Sequence, residues 1–455
     1  MQRNKIGIFI VIIILINTFL HPMIASASPP DISAPSGILI DAETGDVLYE
    51  KNAFDIMYPA STTKIMTAIL TLENTQLQDI VTIDKETPFT DGNRIYAIEG
   101  ETFTVEQLLY ALMVESANDA AVALAKHVSG SVEDFARLMN KRAKELGAKN
   151  THFVNPNGLP NDEHVTTAYD LAMIAKYAMT LPSFPDLVKT VRYQIPPTDK
   201  QPETRYLKSS NRFLWGVGGS NKINYKGQWI NIKYDIVEGI KTGYTIKAQQ
   251  CLVTSAKKDG HRLIAVVLKA QGTNIYTDTR TLIDYGFDNF SYIKLTEGGQ
   301  PIKTIPIEGG QEATLEVLTQ KELYKAYPKD ETSPQVSQSI KILDNLRAPI
   351  QRGDVVGSLI FSSNGNQLGK VNLVAAKTIE EREGITTIFF NEQSPGKYIM
   401  KFFIILLSLY IAWRTYITWR RLNHRRFKSS RRPIMVDSAR SPIFHKKNKS
   451  NYRKM

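Results

Sequence analysis

The segment YPASTTKIMTAIL, residues 58 to 70, sets Ser61 and Lys64 three positions apart at the entry to an apolar, helix-like pattern. On a helix, positions i and i+3 share one face, so the lysine amine can meet the serine hydroxyl. A neutral amine there is a base for the hydroxyl proton, and the free amides of a helix N-terminus suit a developing oxyanion. That chemistry is nucleophilic acyl transfer. The spacing alone is weak, because it recurs at Ser255, Ser291 and Ser394. Ser255 falls on a predicted strand, where i and i+3 point to opposite faces. A capping serine is the ordinary reading of Ser61 taken by itself.

Two further elements change that weight. Ser116-Ala117-Asn118 interrupts two helical patterns, where a short polar break can aim a hydroxyl and an amide into a cleft. Ser-x-Asn also occurs at Ser209 and Ser362. Lys241-Thr242-Gly243 occurs once, on a predicted strand, and offers a cation and a hydroxyl to a carboxylate. Its glycine would let a substrate backbone lie along the strand edge.

In this order, on a helix, a break and a strand, the three elements resemble those of the serine penicillin-binding proteins and β-lactamases. The phrases YPASTTKIMTA, ESANDAAVALA, NPNGLPNDEHVTTAYDLA and GIKTGYT are closer still to the low-molecular-mass D-alanyl-D-alanine carboxypeptidases. The resemblance runs from about Ser36 through Phe290. It implies that Ser61 is the nucleophile, Lys64 its base and Ser116 a proton relay to the leaving D-alanine. Asn118 would hold the substrate amide, Lys241, Thr242 and Gly243 the end of the substrate, and the backbone amides of Ser61 and Tyr244 the oxyanion. It implies peptidoglycan stem peptides as substrate, β-lactams as covalent inhibitors, and neither metal nor cofactor. A β-lactamase lacks support, since no Glu-x-x-Leu-Asn phrase follows the second element. A DD-endopeptidase would share every catalytic residue, and a non-catalytic wall-binding module would not need all of them.

These residues need a frame. SGILIDAETGDVLYEKN reads as two strands around a Glu-Thr-Gly turn. Five helical patterns follow, one capped by Ser131 and Gly147 and another by Thr167. From about Val237 the chain alternates as antiparallel strands, with a hairpin at Asp259-Gly260. Strands at both ends of this region and helices between them imply an α+β arrangement with one antiparallel sheet shared by both ends; the resemblance implies that residues 28–290 are a catalytic domain of the β-lactamase/transpeptidase type. Residues 291–393 read as a small all-β domain, a sandwich. The aromatic, glycine-rich stretch 213–234 is expected to be either a hairpin at the cleft rim or a surface insertion. His164 is expected to bond within its loop rather than to bind metal. Cys251, the only cysteine, reads as a buried strand thiol.

The net charge of +11 resides at the ends. From Arg414 to Met455 there are 14 Lys and Arg against the single acid Asp437, whereas residues 28–394 sum to −6. That distribution gives no footprint for nucleic acid and instead indicates membrane topology. Arg3 and Lys5 precede an apolar run ending in ASA, a signal peptide expected to be cleaved after Ala27. An apolar helix is expected over about 396–419, spanning a bilayer or lying on its outer leaflet, with 420–455 as a basic cytoplasmic tail. The expected location is therefore the bacterial cell membrane, with the catalytic domain on the outer face.

Overall fold

The computed structural model describes residues 29–329, 334–382 and 395–428. The expected signal peptide, the tail beyond 428 and the stretch containing Ser394 lie outside them. The chain divides into two compact units. One comprises Met1–Lys303, Glu316–Asp344 and Gly353–Ala376, the other Thr304–Leu315, Asn345–Arg352 and Lys377–Met455. This division cuts through the stretch expected to be one β domain.

The first unit is organised by a five-stranded antiparallel sheet. Strands β1 (Ser36–Asp41) and β2 (Val47–Lys51) come from its start, and β3 (Val237–Thr245), β4 (Gln249–Lys258) and β5 (His261–Ala270) from its later part. The order is β2-β1-β5-β4-β3, with Ser36 opposite Leu268 and Asp41 opposite Leu263. Asp259 and Gly260, at φ 51° and 87°, make the tight two-residue hairpin between β4 and β5 that their types predict. Because side chains alternate along a strand, the sheet has two apolar faces. Ile38, Ile40, Val253, Ile264 and Val266 pack with the helices α1 (Lys64–Asn74), α2 (Val105–Tyr110), α3 (Asn118–Ser129), α4 (Val132–Glu145) and α5 (Ala168–Ala178). Ser131 and Thr167 cap α4 and α5 by accepting the amides of Asp134 and Asp170. Cys251 is buried on β4, where burial pushes its thiol up to about 12.

Leu39, Leu252, Leu263 and Val267 form the opposite face, covered by α6 (Asn274–Asn289) through Ile275, Leu282 and Ile283. This helix carries too many polar residues to stand out in the sequence. The 213–234 insertion does form a hairpin, Lys222–Tyr225 with Gln228–Asn231. Its Phe213, Ile223 and Ile232 join the α6 side of the core. Tyr225 and Tyr234 donate to Asp284 at 2.7 and 2.5 Å, and the Arg280 guanidinium lies over both rings. Of the two readings of the insertion, its packing on α6 favours the surface insertion, and none of residues 213–234 is among those lining the cleft described below.

In the same unit, β6 (Phe290–Thr296) pairs with β8 (Leu323–Pro328), while β7 (Thr314–Thr319), β11 (Asn366–Ala375), β10 (Val355–Ser363) and β9 (Ser337–Ile342) are neighbours in a second sheet. Val317, Leu359, Phe361, Val371 and Leu373 are its buried side chains. The second unit holds the bridges Gly310 to Glu381 and Ile350 to Ile379, and the long helix α7 (Pro395–Lys428). Within α7, Gly396–Leu422 is long and apolar enough to cross a membrane. Its 27 residues rise ~40 Å against a hydrocarbon core of ~30 Å. Phe402, Ile405, Leu409 and Trp413 on it are exposed.

One buried ion pair fixes the loop that borders the site. Glu101 accepts both guanidinium nitrogens of Arg205 at 2.8 and 2.9 Å and the Thr198 hydroxyl at 2.5 Å. Arg205 also donates to the carbonyls of Ile95 and Tyr96. Removing one partner of such a pair strands a buried charge, at a cost of about 3–5 kcal/mol. Glu101→Leu is expected to lower the urea midpoint accordingly, and an unchanged midpoint would show that the pair does not hold this loop.

Candidate active site

Ser61 does not begin an α-helix; it lies in a 3-10 turn, Ala60–Thr63, and α1 starts at Lys64. The difference matters because the turn is strained. Ala60 sits at φ 49°, a region that a side chain disfavours, and the chain is held there from both sides. A Cβ on Gly158 would lie 1.9 Å from the Ala60 carbonyl oxygen, and one on Gly243 would lie 3.0 Å from the Ser61 amide nitrogen. Gly243, which also lines the cleft, thus makes room for the turn that carries Ser61. Strand β3, which carries it, is the free edge of the sheet.

The second element has its own irregularity. Helix α2 runs into a π-turn, Ala111–Glu115, which ends with Ser116 in the left-handed conformation at φ 67° and ψ 32°. Such insertions recur where a side chain must be re-aimed. Helix α3 then begins at Asn118. Asp119 beside it is buried and accepts the amides of Ile95 and Ala97, both at 3.1 Å, which ties α3 to the loop that Glu101 and Arg205 fix.

Lys64 is fully buried and is the centre of the polar network. Its Nζ is 3.0 Å from Ser61 Oγ, 2.6 Å from Asn118 Oδ1 and 2.7 Å from the Asn157 carbonyl. The Asn118 orientation is unambiguous, because its Nδ2 donates to the Asp91 carbonyl at 2.7 Å. Two of the three partners of Lys64 are therefore pure acceptors. A neutral amine has two N–H groups for them and one lone pair left, aimed at the Ser61 hydroxyl. Burial holds the Lys64 amine well below its ordinary value, Lys241 lowers it further, and Asp119 opposes both. Lys241, also buried, is itself pulled down to about 7 by burial, against a raising effect of Glu115, and donates to the Thr242 carbonyl at 3.1 Å.

A cleft of about 410 Å³ opens over this network, lined by Ser61, Ser116, Asn118, Thr242, Gly243 and Tyr244 of the anticipated set. Lys64 and Lys241 lie beneath it. The structure adds residues that the sequence did not single out. Asn157 supplies a carbonyl to Lys64, and its signal was present in the phrase NPNGLP without any hint of which atom mattered. Ser210 lines the cleft and shares a 2.6 Å hydrogen bond with the Thr242 hydroxyl. Nothing in its type or spacing marked it.

His164 behaves as expected of a loop residue. Its Nδ1 accepts the Val154 amide at 3.1 Å, so its Nε2–H faces the Thr63 hydroxyl at 2.8 Å. Thr67 donates to the Pro156 carbonyl at 2.5 Å, and the loop that carries Asn157 and Gly158 is thereby pinned to α1.

An α+β fold that seats a serine against a buried lysine, its amine held well below the ordinary value, near a sheet edge defines a serine acyl-transfer enzyme of the transpeptidase class. Residues 23–272 match the D-alanyl-D-alanine carboxypeptidase family, peptidase S11, and residues 290–381 the C-terminal domain of penicillin-binding protein 5. The chain is 35% identical to the D-alanyl-D-alanine carboxypeptidase DacF of Bacillus subtilis, over 78% of its own length and 87% of the relative's. The crystal structure of penicillin-binding protein 5 from Haemophilus influenzae aligns with a TM-score of 0.60 at 27% identity, covering 78% of this chain and 100% of that one. That of PBP3 from Streptococcus pneumoniae, titled a peptidoglycan synthesis regulatory factor, gives 0.61 at 27% identity over 77% and 100%. The chain belongs to the S11 D-alanyl-D-alanine carboxypeptidase family of low-molecular-mass penicillin-binding proteins.

The buried His164 provides a pH test of the site. Burial lowers it from 6.5 to about 4, with smaller effects of His152 and Lys64 in the same direction. The folded state thus binds fewer protons than the unfolded one between these values. Its contribution is complete above pH 6.5 and is lost as pH falls toward 4. The loss amounts to about 3 kcal/mol. His164→Gln, which keeps an acceptor and a donor but does not titrate, is expected to flatten the fall of Tm over this range; an identical fall would show that His164 is not the titrating group.

Proposed function

We propose that the protein is a membrane-anchored serine D-alanyl-D-alanine carboxypeptidase that removes the terminal D-alanine from peptidoglycan pentapeptide stems and is acylated by β-lactams. The observation that carries this reading is the 3.0 Å contact between Ser61 and a lysine whose other two partners are acceptors. Ser61 Oγ attacks the carbonyl carbon of the penultimate D-alanine while its proton passes to Lys64. The amides of Ser61 and Tyr244 receive the oxyanion. As the C–N bond breaks, Ser116 relays a proton to the departing amine. Water then cleaves the ester, restoring the Ser61 hydroxyl and releasing a stem one residue shorter.

Asn118 has a second lone pair and a second N–H beyond its bonds to Lys64 and Asp91, and these are available to the substrate amide. Lys241 and Thr242 hold the terminal carboxylate. Helix α7 spans the membrane, with Tyr398 near one end of the apolar stretch and Trp413 and Trp419 near the other, the positions that interfacial aromatics favour. Arg420 and Arg421 follow on the cytoplasmic side, which leaves the catalytic unit outside.

The purified protein is expected to form a covalent adduct with labelled benzylpenicillin that Ser61→Ala abolishes; labelling that survives the substitution would sink the mechanism. Incubated with muropeptides, it is expected to shorten pentapeptide stems by one D-alanine. Cleavage of cross-linked dimers without that shortening would make it an endopeptidase instead.

A further inference from the structure

The carboxylate end of the substrate raises a problem of charge. No Lys or Arg side chain lines the cleft among the described residues; its polar lining is Ser61, Asn93, Ser116, Asn118, Asn157, Ser210, Thr242, Tyr244, Thr245, Gln250 and Tyr276. Arg212, two residues beyond Ser210, is not among the lining residues, and its guanidinium lies 5.6 Å from the ring centroid of Tyr276. Its Nε donates to Asn221 Oδ1 at 2.9 Å and another of its nitrogens to the Ser220 carbonyl, so the insertion holds it outside the cleft. Lys241 is buried, is pulled down to about 7 by that burial, and donates to the Thr242 carbonyl at 3.1 Å rather than lining the cleft. The side chains that an anion meets at the surface of the cleft are therefore neutral, and their O–H donors act alongside the buried Lys241.

We infer that Ser210 is a specificity-determining residue for the terminal carboxylate, acting with Thr242 as a paired hydroxyl clamp. The two oxygens are 2.6 Å apart, so in the empty cleft one hydroxyl donates to the other. When a carboxylate enters, the pair opens and each hydroxyl donates to one of its two oxygens. Two donors for two acceptors match a carboxylate, and a carboxamide, with one acceptor oxygen, uses the pair poorly. Ser210 is placed rigidly for this. Its amide bonds the Val114 carbonyl at 3.3 Å, and the Lys208 amide bonds Glu115 Oε2 at 3.1 Å, so it is tied to the π-turn that aims Ser116. The strand Arg205–Lys208 leads into it, anchored by the buried Glu101–Arg205 pair.

This assignment rests on the carboxypeptidase reading, and the test separates the two. The full-length protein is assayed on diacetyl-lysyl-D-alanyl-D-alanine and on its C-terminal carboxamide. A hydrogen bond to a charged group predicts that Ser210→Ala lowers kcat/KM on the acid by at least about tenfold. The carboxamide is expected to change by less than about threefold, and Ser210→Thr is expected to restore the preference for the acid. Equal losses on both substrates would reduce Ser210 to a structural role and overturn the assignment, as would no loss on either. A wild-type protein that is acylated by penicillin yet turns over neither substrate would overturn the carboxypeptidase reading, and the clamp with it.

Discussion

The account depends on a lysine that is buried without a counter-ion. Taking an ammonium out of water is far costlier than burying a neutral amine, and among the described residues Lys64 meets no carboxylate within hydrogen-bond reach. The carbonyls around it satisfy two N–H groups and leave nothing for a third except the serine oxygen that must lose its proton. Desolvation and the neighbouring Lys241 therefore do the same work as a dedicated general base, with no acid–base partner beyond the amine itself. Asp119 is close enough to oppose this shift, but its carboxylate is turned to the amides of Ile95 and Ala97.

Holding that lysine requires three separate segments to converge, and each has an unusual backbone. The nucleophile turn has Ala60 at φ 49°, the second element has a π-turn and Ser116 at φ 67°, and Gly158 at φ 84° seals the loop over Ala60. Such conformations persist only where the surroundings over-determine them. Here the surroundings are the sheet edge at Gly243, the Glu101–Arg205 pair and the His164 loop. The same rigidity that stores the strain keeps Ser61 at one distance from its base, the condition for effective proton transfer.

The legible part of the site was the part that obeys local periodicity. Ser61 and Lys64 share a face because of their spacing, and Lys241 falls on a strand because of the alternation around it. The caps at Ser131 and Thr167 and the Asp259-Gly260 hairpin are likewise local signals. Helix α6 was not legible, because its apolar residues are diluted by polar ones and its burial comes from the sheet and the insertion. Asn157 contributes a backbone oxygen, which no residue type announces. Ser210 reaches Thr242 only through the fold, and the insertion at 213–234 could be read either as a rim hairpin or as a surface insertion because its aromatic residues gave no direction. What tertiary packing decides, sequence pattern could not.

The most direct test is the charge state of Lys64 itself. In protein labelled with ¹³C at the lysine ε-carbons, the resonance absent from Lys64→Arg reports its titration. Burial and the neighbouring Lys241 predict a titration midpoint well below the ordinary lysine value. A resonance that remains that of an ammonium until pH approaches the ordinary lysine value of about 10.4 would contradict it.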